Sequence, residues 1–406
     1  MLYGETTDPQ KAAVEATTKD FETKYPNVKV DIQYQALDAL LKVIKLQMGS
    51  DNPPDLANGN QGYDVMGTLV KAGLILNLDK YATQHGWDTK FTPGTIAPNR
   101  LTPDGKTFGS GSLYGVSQAS EYVAVFYNKA NLAKLGITDA STLDTKSAFE
   151  AALAKAKQMG MTPDILGDAT KFPGTHNYTM FQGAYVPAAT SNAWVYGTSG
   201  STVNDAAHIQ AAQDYQTWAT NGWFNSDALA VSAPDAAARF AAGEGVFFVD
   251  GDFRGGILTA AGMGDNLGWM LYPPGDSGKH AAVGSISLPI MISAKSKQPD
   301  CAAEYLDWIT TSDSAKLAML ANGRIPATGV PADMLAKARD PLLQQEISEY
   351  DRLLKDDGLM AWEDWATPDM LDLMGANTQS LIAGKMTPTD YVKAMQADWD
   401  KFQASR

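Results

Sequence analysis

The chain has 406 residues, of which 44% are hydrophobic and 19% are charged, and this balance excludes a disordered or fibrous protein. Its 46 acidic and 32 basic residues give a formal net charge of −14, which disfavours binding to nucleic acid or to anionic lipid. One cysteine and four widely separated histidines exclude a disulfide framework and the usual zinc motifs. We therefore expect two or three domains, or one large two-lobed body, with no metal or other cofactor.

Strand and helix patterns alternate over the first hundred residues. Asp8 is the predicted N-cap of the first helix, with Pro9 at its first position. The β-α-β-α order predicts a parallel sheet covered by helices. Ligands of such sheets bind beyond the carboxyl ends of the strands, so the loop at 4–8 is a candidate site. The predicted elements are a strand ending at 2–3, a helix over 9–24, a strand over 28–34 and a helix over 37–48.

The later part of the chain is mostly helical by its apolar periodicity from residue 300 to the end, with two strong helices before it. Residues 160–204 are rich in Gly, Pro, Ser, Thr, Asn and aromatic residues, and this segment is too irregular for a repeated βαβ array. No repeat of solenoid or propeller length is present, and no low-complexity linker divides the chain. The predicted helices cover 146–159, 205–220, 300–321, 333–338, 341–355, 368–383 and 388–403, and the predicted buried strands cover 246–249 and 286–292.

Motifs for nucleotide, calcium and hydrolytic sites are each incomplete. Residues 105–107 resemble part of a phosphate-binding loop, but Arg100 stands where the required glycine belongs. The Asp-Gly-Asp sequence at 250–252 begins like a calcium loop, but Arg254 occupies the third ligand position and the distal Glu is absent. No GxSxG nucleophile elbow occurs. The sequence therefore favours a binding protein over an enzyme.

Aromatic residues are abundant, with nine Trp, 16 Tyr and 13 Phe. Most of them are expected in the core, but a large ring in a polar or glycine-rich loop is costly to expose without a purpose. Flat rings stack on the apolar C–H faces of sugars, while amides and carboxylates bond to the hydroxyls. This combination favours a neutral sugar as ligand. Rings with amides or carboxylates beside them occur at Tyr63, Tyr178, Trp362 and Trp365.

An ordered series of short motifs runs through the chain. They are Tyr25-Pro26-Asn27-Val28-Lys29-Val30, Asn52-Pro53-Pro54-Asp55-Leu56, Leu113-Tyr114-Gly115-Val116, Val125-Phe126-Tyr127-Asn128-Lys129, the segment from Phe240 to Phe253, and residues 283–320. In this order, the motifs resemble the family 1 extracellular solute-binding proteins of ABC importers, in the carbohydrate-binding branch that includes maltodextrin-binding proteins. The resemblance covers essentially the whole chain.

The resemblance implies an α/β architecture, the two-lobed type II periplasmic-binding-protein-like fold, with the ligand in a cleft between lobes that close by a hinge motion. It places residues 1–117 plus 273–312 in an N-terminal lobe and residues 118–272 plus 313–406 in a C-terminal lobe. The hinge would lie near 117–122, 268–273 and 312–314.

The resemblance also implies a set of ligand-binding residues on both lobes and at the crossings between them. These are Glu5, Thr7, Asp8, Asn60, Gln61, Tyr63, Gln118, Glu121, His176, Asn177, Tyr178, Asp250, Asp252, Phe253, Arg254, Gly284, Ser285, Trp362 and Trp365. Asp8 is expected to combine this role with that of a helix cap.

By this resemblance the protein captures a neutral oligosaccharide and delivers it to the permease subunits of an ABC transporter. It is expected to be a monomer, extracellular or periplasmic and lipid-anchored, with a signal segment absent from this chain. Two alternatives stay open from the residues themselves. Arg254 allows a phosphorylated or acidic ligand, and Glu121 with Asp250 or Asp252 allows a glycoside-active enzyme. A third is a surface adhesin without a small ligand.

Overall fold

The computed structural model describes residues 1–336, 338 and 340–406. The strands β1 to β13 are Leu2–Tyr3, Gln33–Tyr34, Leu56–Asn58, Arg100–Leu101, Ser112–Leu113, Ala119–Ser120, Val123–Asn128, Phe247–Gly251, Leu267–Met270, Ala282–Val283, Ile290–Ile292, Ile325–Pro326 and Leu359–Met360.

Most of the remaining structure is helical. The helices α1 to α19 are Asp8–Lys24, Leu37–Gly49, Met66–Lys71, Asp79–His85, Trp87–Lys90, Pro93–Ile96, Lys129–Lys134, Lys146–Gln158, Phe172–Tyr185, Ala188–Val195, Ala206–Thr220, Ala233–Ala241, Gly255–Ala260, Pro299–Thr311, Asp313–Ala321, Ala332–Leu335, Pro341–Lys355, Met370–Ile382 and Pro388–Ala404. Short 3₁₀ turns cover Ala97–Asn99, Ala140–Thr142, Asp252–Arg254, Gly264–Asn266 and Glu363–Trp365. Within the described ranges, we find no helix with the length and apolar character that crossing a membrane requires.

The first sheet has the strand order β11-β3-β1-β2. Strands β1, β2 and β3 are parallel, with Leu2 opposite both Gln33 and Ala57, whereas β11 pairs with β3 in the antiparallel sense. The predicted parallel sheet is therefore confirmed, with an antiparallel edge strand from much later in the chain. Helices α1 and α14 pack together, and a core that includes Tyr3 and Phe21 joins them to the sheet.

Two details at this sheet correct the sequence predictions. The N-cap of α1 is Thr7, not Asp8: the hydroxyl of Thr7 accepts from the backbone of Gln10, whose side chain bonds back to Thr7 in a capping box. The strand predicted over 28–34 is ordered as a strand only at Gln33–Tyr34, because β1 offers just two residues for it to pair with.

The second sheet has the order β8-β7-β9 and is antiparallel throughout. The central strand β7 is buried along its whole length, and Val125 lies opposite Val249 on one side and Met270 on the other. Such a strand, apolar on both faces, marks the centre of a second core, in which Phe126 packs on Trp269 with ring centroids 4.3 Å apart. The predicted strands at 246–249 and 286–292 are observed as β8 and β11, each shifted or shortened.

The segment 160–204 is predicted to be too irregular for a repeated βαβ array, and within these described residues the structure has no named strand. It contains α9 and α10. Most of α9 is buried around its full circumference, so it lacks the polar stripe from which helices are recognised. The helix predicted over 300–321 is divided in two by Ser312, which caps α15. The helix predicted over 333–338 is observed as α16, and Lys337 lies outside the described residues.

Candidate functional site

A cavity of about 360 Å³ lies where the loops that follow β1, β2 and β3 meet loops from the second sheet. Ligands of parallel sheets bind at this edge, beyond the carboxyl ends of the strands. The lining residues are Gly4, Glu5, Thr6, Thr7, Gln10, Ala36, Leu37, Asn60, Gln61, Glu121, Thr170, Phe172, Pro173, Thr175, His176, Ala233, Pro234, Phe253, Arg254, Ile286, Leu288, Trp362, Asp364 and Trp365.

One side of the cavity is closed by an ion triad. Arg324 donates from Nη1 to Glu5 Oε2 at 2.6 Å and from Nη2 to Glu121 Oε1 at 2.7 Å. The guanidinium is 4% exposed, so the two carboxylates compensate a charge that is almost completely removed from water. Burial, reinforced by the charge of Glu5, raises the pKa of Glu121 to about 7 although Arg324 opposes this shift.

A second charge cluster borders the cavity at the end of β8. Asp250 is fully buried and accepts from Arg254 Nε at 2.9 Å, and its other oxygen lies 3.1 Å from His176 Nδ1. Burial favours the neutral acid, but the charge of Arg254 and the contacts with His176 outweigh burial and hold the pKa of Asp250 at about 2. Arg254 and His176 line the cavity, while Asp250 contacts both of them without lining it.

Aromatic rings form the wall contributed by residues 362–365. The ring centroid of His176 lies 5.4 Å from the ring centroid of Trp362 and 6.3 Å from that of Phe253. Trp365 Nε1 donates to Asn60 Oδ1 at 3.2 Å, and the amide of Asn60 donates to Asp364 at 3.0 Å. These bonds tie the loop after β3 to the aromatic turn.

The acids of this turn are held in a low-polarity environment. Burial raises the pKa of Asp364 to about 6, although its bond from Asn60 opposes the shift, and burial raises the pKa of Glu363 to about 8. Glu363 is 2% exposed, and the side chain of Gln182, which opposes the shift, does not outweigh burial. The neutral acid is therefore the form of Glu363 that the fold accommodates at neutral pH.

We expect Glu363→Gln to flatten the pH dependence of stability between pH 6 and 8. Glu363 takes up a proton on folding, so its contribution is complete below its ordinary pKa of 4.5 and is lost as the pH rises through about 8. Glutamine has the shape of the neutral acid and cannot ionise. Urea unfolding at several pH values should show a slope smaller by up to about 1.4 kcal/mol per pH unit.

The exposed Glu15 provides the control for this measurement. Glu15→Gln should leave the slope between pH 6 and 8 unchanged. An unchanged slope in Glu363→Gln as well would mean that Glu363 ionises in the folded protein as it does in the unfolded chain.

The structure brings together about half of the residues expected to bind the ligand. Those that line the cavity are Glu5, Thr7, Asn60, Gln61, Glu121, His176, Phe253, Arg254, Trp362 and Trp365. They come from segments that are far apart in the sequence, as the resemblance implied.

The remaining expected residues lie away from the cavity lining. Asp8 is exposed on the first turn of α1. Tyr63 packs on Phe402, and Tyr178 on Tyr391, with ring centroids 4.7 and 4.8 Å apart.

Three of the polar residues expected to bind the ligand make hydrogen bonds within the protein instead. Asn177 donates to the carbonyl of Pro173 within α9, Gln118 accepts from the hydroxyl of Tyr3, and Asp252 accepts from the backbone of Tyr122.

Gly284 and Ser285 lie at a chain crossing next to the cavity. A Cβ at Gly284 would come within 2.5 Å of the carbonyl oxygen of Glu121, so only glycine fits there. Ser285 donates its backbone N–H to the same oxygen at 2.8 Å and holds a φ of 140°. These two residues therefore support the segment that carries Glu121.

Sequence reasoning missed Arg324, which has no local motif and meets Glu5 across 319 residues. It also missed the lining contributed by 170–175 and 233–234 at the starts of α9 and α12. Proline in the first turn of each helix was the available signal. Asp364 lies between the two expected site residues Trp362 and Trp365 and could have been inferred from its position.

The profile of the bacterial extracellular solute-binding protein family matches residues 3–316. The chain belongs to this family. An uncharacterised ABC transporter extracellular-binding protein of Pyrococcus horikoshii is 25% identical over 84% of this chain and 73% of its own length.

Solved structures share the fold over the whole chain. A chitin oligosaccharide binding protein has a TM-score of 0.82 at 20% identity, covering 100% of this chain and 98% of its own. A bacterial solute receptor with an exclusive preference for β-D-galactopyranose has a TM-score of 0.81 at 17% identity, covering 98% and 97%. An acarbose receptor of Streptomyces glaucescens has a TM-score of 0.73 at 17% identity, covering 99% and 97%. The expected two-lobed α/β fold is therefore confirmed.

Proposed function

We propose that this protein is the substrate-binding component of an ABC importer and captures a short, neutral oligosaccharide in the cavity. The observation that carries the proposal is the character of the cavity wall. Trp362, Trp365 and Phe253 supply rings, and Asn60 and Gln61 supply amides close to them. Rings for the C–H faces and amides for the hydroxyls are what an uncharged sugar requires.

The charges around the cavity support a neutral ligand. Arg254 is compensated by Asp250, and Glu5 and Glu121 are compensated by Arg324. A ligand that brought its own charge would have to compete with these short bonds or remain buried without a partner, and both carry a free-energy cost. An uncharged ligand leaves every pair intact.

The cavity volume of about 360 Å³ is near the lower end of the range for small-molecule sites, roughly 300–1,000 Å³. It therefore favours a ligand of a few sugar rings over a long polysaccharide. Carbohydrate ligands named for the structural neighbours, among them a chitin oligosaccharide and acarbose, support the same class.

The placement of the lining supports capture by hinge closure. Residues before 117, such as Asn60, and residues after 118, such as His176, border the same cavity. We assign them to the lobes 1–117 plus 273–312 and 118–272 plus 313–406, with hinge segments near 117–122, 268–273 and 312–314. A sugar that contacts both lobes stabilises the closed arrangement, since only that arrangement makes all contacts at once.

The family supports delivery to a permease, and the monomeric state and the lipid anchor are parts of our proposal. An extracellular binding protein delivers its solute to permease subunits in the membrane, and we propose that this one does so as a monomer held at the membrane by a lipid anchor. No chemistry on the sugar is required for this role.

A thermal-shift screen tests the proposal directly. We expect one class among chitobiose, xylotriose, maltotriose and stachyose to raise the melting temperature, equivalent to about 2.7 kcal/mol at a ligand concentration of 100 Kd. Chromatography after incubation should recover that sugar intact. A uronic acid and a sugar phosphate serve as charged comparisons.

Three results would contradict the proposal, each in a different way. A larger shift with the charged sugars would move the ligand to the acidic class. A shortened sugar would indicate an enzyme. No shift with any member of the panel would favour a protein without a small carbohydrate ligand.

A further inference from the structure

Each of the four histidines of the chain faces an aspartate. The Nδ1 atoms of His85, His176, His208 and His280 lie within 3.6 Å of Asp307, Asp250, Asp205 and Asp356 respectively. Among the described residues, His176 is the only histidine that lines the cavity. Its partner is also the most deeply buried of the four aspartates. This pair is therefore placed to determine whether the ring of His176 presents a hydrogen-bond donor or an acceptor to the cavity.

The geometry around Asp250 determines which nitrogen of His176 carries the proton. Oδ1 lies 3.1 Å from His176 Nδ1 and also accepts from the backbone of Gly251 at 2.8 Å, while Oδ2 accepts from Arg254. An ionised carboxylate can only accept, so the neutral imidazole has to donate from Nδ1. Its Nε2 is then an acceptor.

The other ring nitrogen, Nε2, has no partner among the residues that the structure describes. No described group bonds to His176 Nε2, and this atom is not among the fully enclosed atoms that lack a partner. The ring is 8% exposed and borders the cavity between Trp362 and Phe253. Its open edge therefore belongs to the ligand site.

We propose that Asp250 is a positioning residue that holds His176 in the Nδ1–H tautomer, so that Nε2 accepts a hydrogen bond from a ligand hydroxyl. The inference rests on the proposed function, and it adds a rule of specificity. At this point of the site the sugar must offer a hydroxyl that donates. A deoxy or deoxyfluoro sugar at that position lacks the donor and binds more weakly.

Asp250→Asn separates the charge of this side chain from its shape. The amide has one accepting oxygen and one NH₂ group, in place of two accepting oxygens. Arg254 carries a full charge and can only donate, so we expect it to hold the oxygen and turn the NH₂ toward His176, although this orientation breaks the bond that Oδ1 accepts from the backbone N–H of Gly251. Nδ1 then accepts, the proton moves to Nε2, and the cavity presents a donor where it presented an acceptor.

The first arm of the test needs no ligand. Nitrogen-15 NMR of the imidazoles in the unliganded protein at pH 7.5, with His176 assigned by its loss in His176→Gln, should show the Nδ1–H tautomer. The Nε2–H form, or a doubly protonated ring, would overturn the proposal. In Asp250→Asn the Nε2–H form should appear.

The second arm measures affinity for the panel sugar that gives the largest thermal shift. Asp250→Asn should weaken binding of this sugar about 10- to 100-fold. It should also narrow the difference in affinity between that sugar and its deoxyfluoro analogue. Asp205→Asn, in the His208 pair away from the cavity, is the matched control and should bind like the wild type. Asparagine also remains a good cap for α11.

The outcomes distinguish the two proposals. Wild-type affinity in Asp250→Asn, or a loss of affinity without a change of tautomer, would overturn the positioning role. If no sugar in the panel binds, the proposed function fails, while the tautomer still stands or falls by the spectrum of the unliganded protein.

Discussion

Replacing Arg324 by methionine is expected to lower the free energy of unfolding at neutral pH by about 3–5 kcal/mol. The guanidinium bonds to Glu5 and Glu121 at 2.6 and 2.7 Å and is nearly inaccessible to water. Without it, two carboxylates share a site with no compensating charge, and at least one has to be protonated or reach solvent. Urea unfolding monitored by tryptophan fluorescence measures the loss.

The chain contains a matched control for this substitution. Arg239 also bridges two carboxylates, those of Asp227 and Glu244, but its side chain is 30% exposed. Arg239→Met should therefore cost about 1 kcal/mol or less. The loss in Arg324→Met should also be smaller at pH 5 than at pH 8, because protonation removes the repulsion. Equal losses in the two variants would show that burial of the triad has no energetic consequence.

Removing the indole of Trp362 is expected to have the largest effect on ligand binding. Trp362→Ala should weaken sugar binding by about 1–3 kcal/mol, the scale of a large aromatic contact, or roughly 5- to 150-fold. Trp362 is half-buried and lines the cavity, so the unliganded protein should stay folded. Isothermal titration with the panel sugar measures the change.

Trp308 is the control for Trp362. It is also half-buried, but it packs on Phe21 away from the cavity and donates to the carbonyl of Thr17. Trp308→Ala should change stability and leave affinity as in the wild type. Trp365 is less suitable as a probe, since it is 2% exposed and its removal would cost about 3–5 kcal/mol of stability. Wild-type affinity in Trp362→Ala would place the sugar against another wall.

Local sequence patterns predicted the helices with one polar face well. The C-terminal helices observed at Pro341–Lys355, Met370–Ile382 and Pro388–Ala404 agree with their predicted ranges to within a few residues. An amphipathic stripe is a property of neighbours three and four positions apart, so it is readable without the fold. Helix α9 was missed because burial on all sides leaves no such stripe.

The candidate site was also predictable only in part. The loop with Glu5 was located from the strand pattern, because the carboxyl end of a parallel strand is a local property, whereas the loop with Asn60 was located from the family resemblance. Whether a residue in such a loop faces the cavity or the interior was not readable. Tyr63 turns into the core three residues after Asn60 lines the cavity.

The sequence by itself determined the helices with one polar face, the parallel arrangement of the first strands and, through its ordered motifs, the family. Each of these depends on short-range periodicity or on motifs that are contiguous in the chain. The tertiary structure alone decided which charges are neutralised and by what. Arg324 meets Glu5 and Glu121 across 319 and 203 residues, and His176 meets Asp250 across 74. Such pairs are set by how the two sheets and their connections pack, and no local pattern in the chain records that packing.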